Sequence, residues 1–294
     1  MHSRRPRRES GLKPAARLWP AVMNIDQAIR KGEKILARHG VSDPRWNSER
    51  LMMLALHRSR TEIYSDLSRE LSEQEIRSFE KLIDRRAKHH PLAYLEGTQE
   101  FFGREFLVNE SVLIPRPETE GIVQAVLDLP LDQPNILDIA SGSGVIAVTL
   151  SLEIPGSHVF ALELSSAALP VLRKNAEECV SVVRGNFQTL PFISGSFDVV
   201  TANLPYVEPE EFANLPAETK WEPRMALLTE SLEDTYCTVV RQSARILRPR
   251  GHLVLEIGYG QSERLRRIIA SEELNIDEIR TDQQNIPRVM ILKK

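Results

Sequence analysis

From residue 121 to its end the chain alternates helix-period and strand-period segments, and few folds accommodate that order. Short apolar, β-branched runs predict strands at Asn135–Ile139, His158–Glu163, Val180–Arg184, Phe197–Ala202, His252–Ile257, Asn275–Arg280 and Val289–Leu292. Helical spacing predicts helices over 119–129, 144–153, 165–178, 232–247 and 261–271. Such alternation closes into a parallel, doubly wound α/β sheet covered on both faces. Ligands of these sheets bind beyond the carboxyl ends of the strands, so chemistry is expected at those ends.

The chain before this sheet has a different character. Residues 1–22 are rich in Arg and Pro with no apolar core to follow the arginines, which reads as a basic disordered tail rather than a signal peptide, with Met23 an alternative start. Over 23–90, Ile29, Leu36, Leu51, Leu54, Ile76, Phe79 and Ile83 recur at helical spacing and predict a small helical bundle. Asp43-Pro44 is expected to cap one of its helices, and Ser72-Glu73-Gln74-Glu75 to form a capping box on another. Residues 91–118 read as a linker with a β-hairpin, Phe102, Phe106 and Val108 alternating with polar positions and Gly103 at the turn. Pro115-Arg116-Pro117 then forces an extended approach to an acid-rich helix start at Glu118-Thr119-Glu120, which opens the last domain, 119–294.

Composition narrows the function. Two cysteines far apart, Cys179 and Cys237, imply free thiols in a reducing, cytoplasmic setting, and no Cys or His spacing suggests a metal. A net charge of −3 gives no global field to recruit nucleic acid, and no apolar run approaches membrane-spanning length.

Four strand ends carry the chemistry. The strand Phe197–Ala202 stops at Asn203-Leu204-Pro205-Tyr206, where proline stiffens a corner bearing an amide and an aromatic. That pair suits a planar group with an NH2: the Asn203 oxygen and the Leu204 carbonyl each accept one N–H, and the Tyr206 ring covers the plane. The first strand of the sheet ends in Asp138-Ile139-Ala140-Ser141-Gly142-Ser143-Gly144, a loop that lets a ligand approach the backbone. The second ends at Glu163, placed to accept from ribose hydroxyls, followed by Leu164. The third ends in Arg184-Gly185-Asn186-Phe187, an amide and an aromatic for an adenine. Gly142-Ser143-Gly144-Val145-Ile146-Ala147 also fits a dinucleotide fingerprint. However, no Lys or Arg lies between Asn135 and Pro170, and Asp138 precedes the loop. An acid there repels a pyrophosphate and suits the ammonium and sulfonium of S-adenosylmethionine (SAM), which is favoured over NAD.

With these residues assembled, the chain resembles the HemK/PrmC family of protein-(glutamine-N5) methyltransferases over roughly residues 24 to 294, both domains. PLAYLEGTQEFFGREFLV, LIPRPETE, DIASGSG, NLPY, WEPRMAL, EIGYGQ and the closing RVMILKK carry the likeness. The resemblance implies a class I SAM-dependent methyltransferase, with a Rossmann-like, seven-stranded, mostly parallel sheet behind an N-terminal helical bundle. It implies methyl transfer to the glutamine amide in the Gly-Gly-Gln motif of peptide chain release factors, by a monomer with no nucleic acid or membrane partner. By the resemblance, Asn203, Leu204, Pro205 and Tyr206 are catalytic. Phe102, Pro117, Thr119, Asp138, Ala140, Ser141, Gly142, Gly144, Glu163, Leu164, Asn186, Phe187 and Asn203 hold the cofactor. Arg116, Glu118, Asn203, Pro205, Tyr206, Glu222 and Pro223 meet the substrate. The chain departs from the family pattern in Leu204 for proline, Ala140 for glycine, and Glu163 and Asn186 for aspartate. NLPY is also the form seen in enzymes resembling rRNA adenine-N6 dimethyltransferases, so adenine methylation on RNA or DNA is the alternative reading, with a catalytically silent scaffold a second.

Overall fold

The structure is a computed structural model that describes residues 19–20 and 22–294. Its contacts divide the chain after His89 into two compact units. Most of the tail expected over 1–22 lies outside the described residues. Trp19 does not: it is buried and meets the Phe79 ring edge-on at 5.5 Å, with the Lys31 ammonium 5.0 Å from its centroid. A tryptophan placed beside a bundle gains too much by burial to remain in a disordered segment.

The first unit is the expected helical bundle, α1 (Ile25–Arg38), α2 (Pro44–Leu56), α3 (Arg60–Ser65) and α4 (Glu73–Ala87). Asn24 with Gln27, Ser59 with Glu62 and Ser72 with Glu75 form capping boxes on α1, α3 and α4, each satisfying backbone donors that a helix start leaves orphaned. The cap expected from Asp43 is absent. Asp43 sits in the left-handed region (φ 45°), and its side chain makes no capping bond, so Pro44 alone starts α2. Ile25, Ile29, Leu36, Leu51, Met52, Ile63, Phe79 and Ile83 are buried together.

The second unit opens with a short helix α5 (Leu92–Glu96) inside the segment expected to be linker and hairpin only. The hairpin follows as β1 (Thr98–Phe101) and β2 (Arg104–Leu107), turned by Phe102 and Gly103, both at positive φ, as a two-residue turn with the strands' twist requires. Then come α6 (Glu120–Leu127), β3 (Asn135–Ile139), α7 (Val145–Glu153), β4 (His158–Glu163), α8 (Leu169–Ala176), β5 (Ser181–Arg184) and β6 (Phe197–Ala202). The chain finishes with α9 (Arg224–Leu227), α10 (Leu232–Ile246), β7 (Leu247–Glu256), α11 (Ser262–Ile269), β8 (Asn275–Thr281) and β9 (Pro287–Lys293). The predicted helix over 165–178 begins only at Leu169. Pro170 fits a first turn and no later position, and the Ser165 hydroxyl accepts from the Ala168 N–H to hold the preceding turn.

The strands form one seven-stranded sheet in the order β5-β4-β3-β6-β7-β9-β8, parallel except where β9 pairs antiparallel with β7 and β8. Side chains alternate between its faces. Leu137, Ile139, Val200, Ala202, Leu253 and Leu255 pack under α10 and α11, while Ile136, Val199 and Val254 pack under α6, α7 and α8. No helix among the described residues is long and apolar enough to cross a membrane.

In the bundle, Gly32 lies in the interior of α1 because a Cβ there would come 2.4 Å from Ser48 Oγ and 2.8 Å from Ile83 Cδ1. The Ser48 hydroxyl is buried and donates to the Ile29 carbonyl at 2.8 Å, so it cannot move without losing that bond. On an open helix Gly32→Ala would gain about 1 kcal/mol. Here it is expected to lose about 1–2 kcal/mol net by overpacking, read as earlier unfolding of the bundle amides in native-state hydrogen exchange. A stabilised bundle would overturn the packing argument.

Candidate active site

Residues in one row across the sheet set the site. Leu162, Ile139, Ala202 and Leu255 are register partners on β4, β3, β6 and β7. The next residues along those strands are Glu163, Ala140, Asn203 and Glu256. Strand periodicity places Asn203 on the same face as Val199 and Thr201, and Glu256 on that of Val254, so the two polar side chains meet.

The loop after β3 forms the floor. Asp138 is fully buried; its Oδ1 accepts from Thr201 Oγ1 at 2.8 Å, and its Oδ2 has no hydrogen-bond partner among the described residues. Burial pushes its carboxyl up to about 7, with the nearby Glu163 adding to the shift. Gly142 and Gly144 take positive φ of 56° and 85°, and a Cβ on Gly144 would strike Leu172 Cδ1 at 2.4 Å. Ala140 takes φ 56° without being glycine, a strain of roughly 1–2 kcal/mol. The Glu163 carboxylate accepts from the Gly142 N–H at 2.8 Å and the Ser165 N–H at 2.7 Å, so it is held against the loop. Each of its oxygens keeps a lone pair for a hydroxyl.

The Asn203 corner is braced from three sides. Leu204 is buried in the core, which anchors the corner where a second proline would have stiffened it. Gln261 Nε2 donates to the Tyr206 carbonyl at 2.9 Å, and its Oε1 accepts from the Gly258 N–H at 3.1 Å. A Cβ on Gly258 would lie 2.5 Å from that Oε1, which gives the Glu-Ile-Gly-x-x-Gln pattern its physical basis. Asn203 Nδ2 donates to Glu256 Oε2 at 2.9 Å and Thr119 Oγ1 at 3.2 Å.

Around these strand ends is a cleft of about 1000 Å³ of empty space, part of it open to solvent. That is the size of a small-molecule site. Of the residues expected at the site, Thr119, Ala140, Ser141, Gly142, Glu163, Leu164, Phe187, Asn203, Pro205 and Pro223 line it. Other expected residues do not. The Tyr206 ring packs against the core, and burial pushes its hydroxyl up to about 12, so Pro205 and Phe187 are the flat surfaces that face the cleft. Phe102 packs under α6–α8 with its N–H donating to Glu120, because its place in the hairpin turn points it there. Asn186 folds back on Gln188 in a local turn, its Oδ1 accepting from the Gln188 N–H at 3.0 Å. Asp138, Gly144, Leu204, Arg116, Pro117 and Glu118 are not on the lining; Asp138 is fully buried beneath it and Pro117 is exposed to solvent. Glu222, expected to meet substrate, is buried with its carboxylate accepting from the Ile114 N–H at 3.0 Å and from Arg116. The walls it joins, Ser111 to Leu113 with Pro115 on one side and Met225 with Ala226 on the other, include parts of LIPRPETE and WEPRMAL, but none of these side chains is among those expected at the site from sequence.

The orphaned Asp138 oxygen, in a low-dielectric floor with no basic residue nearby in sequence, fits a cationic ligand and not a pyrophosphate. With the β5-β4-β3-β6-β7-β9-β8 order, this defines a SAM-dependent methyltransferase. Comparison with known proteins agrees: residues 27–97 match the PrmC N-terminal domain and residues 136–220 a methyltransferase domain. A release factor glutamine methyltransferase of Moorella thermoacetica is 37% identical over 253 residues, covering 83% of this chain and 89% of that protein. One from Nitratidesulfovibrio vulgaris is 34% identical, covering 90% and 94%. A bifunctional methyltransferase of Rickettsia typhi is 31% identical over 91% of this chain, which spans only 57% of that relative's length. The chain belongs to the release factor glutamine methyltransferase family.

The Asp138 shift gives a pH signature. The folded pKa lies above the unfolded value, so burying the ionised form costs stability above about pH 7, and that cost disappears as pH falls. A cation favours the ionised form. SAM affinity is therefore expected to weaken below about pH 7, by up to about tenfold per pH unit, with Asp138→Asn weak and flat throughout. Calorimetry at pH 8 and pH 6 checks this; equal affinities would overturn it.

Proposed function

We propose that the chain methylates the side-chain amide nitrogen (N5) of the glutamine in the Gly-Gly-Gln motif of a peptide chain release factor, as a cytoplasmic monomer. The observation that carries this reading is the orientation of Asn203. Its NH2 is committed to Glu256 and Thr119, which leaves Oδ1 as the atom offered to the cleft. An oxygen there accepts one N–H of a primary amide, and the backbone carbonyl of Leu204, whose side chain is buried off the lining, is the acceptor assigned to the other. The family's activity on glutamine supports the choice of amide over adenine.

SAM, when bound, supplies a methyl group on a sulfonium, which leaves as a neutral thioether. The Ala140–Gly144 loop and Glu163 would hold it, with Phe187 and Leu164 as apolar cover and the buried Asp138 charge acting through space from beneath the loop. The chain's part in the reaction is orientation and lone-pair tuning. An amide nitrogen is a poor nucleophile because its lone pair is delocalised. Acceptors on both its hydrogens favour density on nitrogen, and Pro205 holds the amide plane. The surplus proton on the methylated nitrogen is strongly acidic and passes to water, so no general base is required. Walls at 111–115 and 223–226 limit solvent around the reacting groups.

Labelled SAM, the protein and a purified release factor should give one methyl on that glutamine by mass spectrometry; label on RNA instead would overturn the substrate. Asn203→Ala is expected to lower kcat on the order of 10²-fold or more while SAM affinity stays within about threefold. Wild-type turnover in that variant would remove the role assigned to Asn203.

A further inference from the structure

The two orientations of an asparagine amide have nearly the same shape and opposite function. With Oδ1 outward, Asn203 accepts from a substrate NH2; with Nδ2 outward, it repels one. What selects between them lies behind the residue. Thr119 Oγ1 donates its only proton to Glu256 Oε2 at 2.7 Å, so toward Asn203 it can only accept. An ionised Glu256 is an acceptor at both oxygens. Asn203 Nδ2 reaches the same Glu256 oxygen at 2.9 Å and the Thr119 oxygen at 3.2 Å. Both neighbours take protons from the amide, and neither has one to offer.

We propose that Glu256, working through Thr119, is a positioning residue that locks the Asn203 amide with its oxygen toward the substrate. The inference rests on the role given to Asn203 above. Fold stability alone does not call for an acid here. Glu256 is 3% exposed on the strand face that continues from Val254, and burying a carboxylate costs more than burying an aliphatic side chain.

The lock has a protonation state. Burial raises the Glu256 carboxyl to about 7, opposed by the Thr119 bond. Glu118 from the turn before α6 adds to the rise, while Arg116 on the same segment and Arg288 on β9 oppose it. Tyr206 faces it from the corner, and Tyr236 on α10 donates to its backbone carbonyl, not to its carboxylate. A protonated Glu256 becomes a donor and favours the reversed amide. The substrate amide does not titrate in this range. At saturating SAM, kcat is therefore expected to fall as pH drops through about 7, and Glu256→Gln, which cannot ionise, is expected to show no such fall.

The decisive measurement is a double-mutant cycle on kcat. Glu256→Met and Thr119→Val should each lower kcat on the order of tenfold to a hundredfold, with SAM affinity within about threefold. Thr119→Ser, which keeps the hydroxyl, should recover most of the loss seen in Thr119→Val. In an Asn203→Ala background neither Glu256→Met nor Thr119→Val should lower kcat further, because each acts through an amide already removed. Losses that add in that background would overturn the proposal and leave Glu256 a fold residue. Should Glu256→Met fail to fold, Thr119→Val, nearly unchanged in shape, carries the same test. A crippled Asn203→Ala beside fully active Glu256→Met and Thr119→Val would sink the positioning role alone, whereas a fully active Asn203→Ala would sink the reading of Asn203 with it.

Discussion

The register of β4, β3, β6 and β7 is the constraint on which the rest depends. It brings Glu163, the Ala140 loop, Asn203 and Glu256 to one level at the strand ends, although they are far apart in sequence. A slip of one residue in β6 would turn Thr201 and Asn203 to the opposite face. Thr201 would then leave Asp138, and Asn203 would leave Glu256. The alternation of Val199, Val200 and Ala202 between the two apolar layers forbids that slip, so the same packing that closes the core also aims the polar groups.

Apart from Glu222 in the walls, the strand ends at the cleft carry three buried acids, Asp138, Glu163 and Glu256. They are treated differently. Glu163 has two backbone donors, Glu256 accepts from a hydroxyl and an amide, and Asp138 keeps one oxygen with no partner among the described residues. Burial raises both Asp138 and Glu256 to about 7, but their consequences separate. The first governs how well a cation is received; the second governs which atom of Asn203 faces the cleft.

Much of this was legible in the sequence. The strands at Asn135–Ile139, His158–Glu163 and Phe197–Ala202 agree with the fold because each is a compact apolar run bounded by polar or turn residues. The loop with its glycines and the Asn-Leu-Pro-Tyr corner were legible too, since unusual backbone shapes demand particular residues. What was hidden depends on distant chain. Glu256 reads as the polar end of a strand until β6 and β7 are set side by side. Tyr206 was expected over the substrate, yet the core competes for its ring and holds it. Phe102 and Asn186 are drawn away by their own tight turns. Asp43 has the right residue type for a cap, but its left-handed backbone turns the side chain aside.

Glu222 joins two segments separated by more than a hundred positions in the chain, accepting from Ile114 and Arg116 through one buried carboxylate. The sides of the cleft are thus irregular backbone gathered at a single knot, whereas its base is pleated sheet. The spacing of those sides therefore hangs on one side chain, while the base is held by a ladder of many backbone bonds.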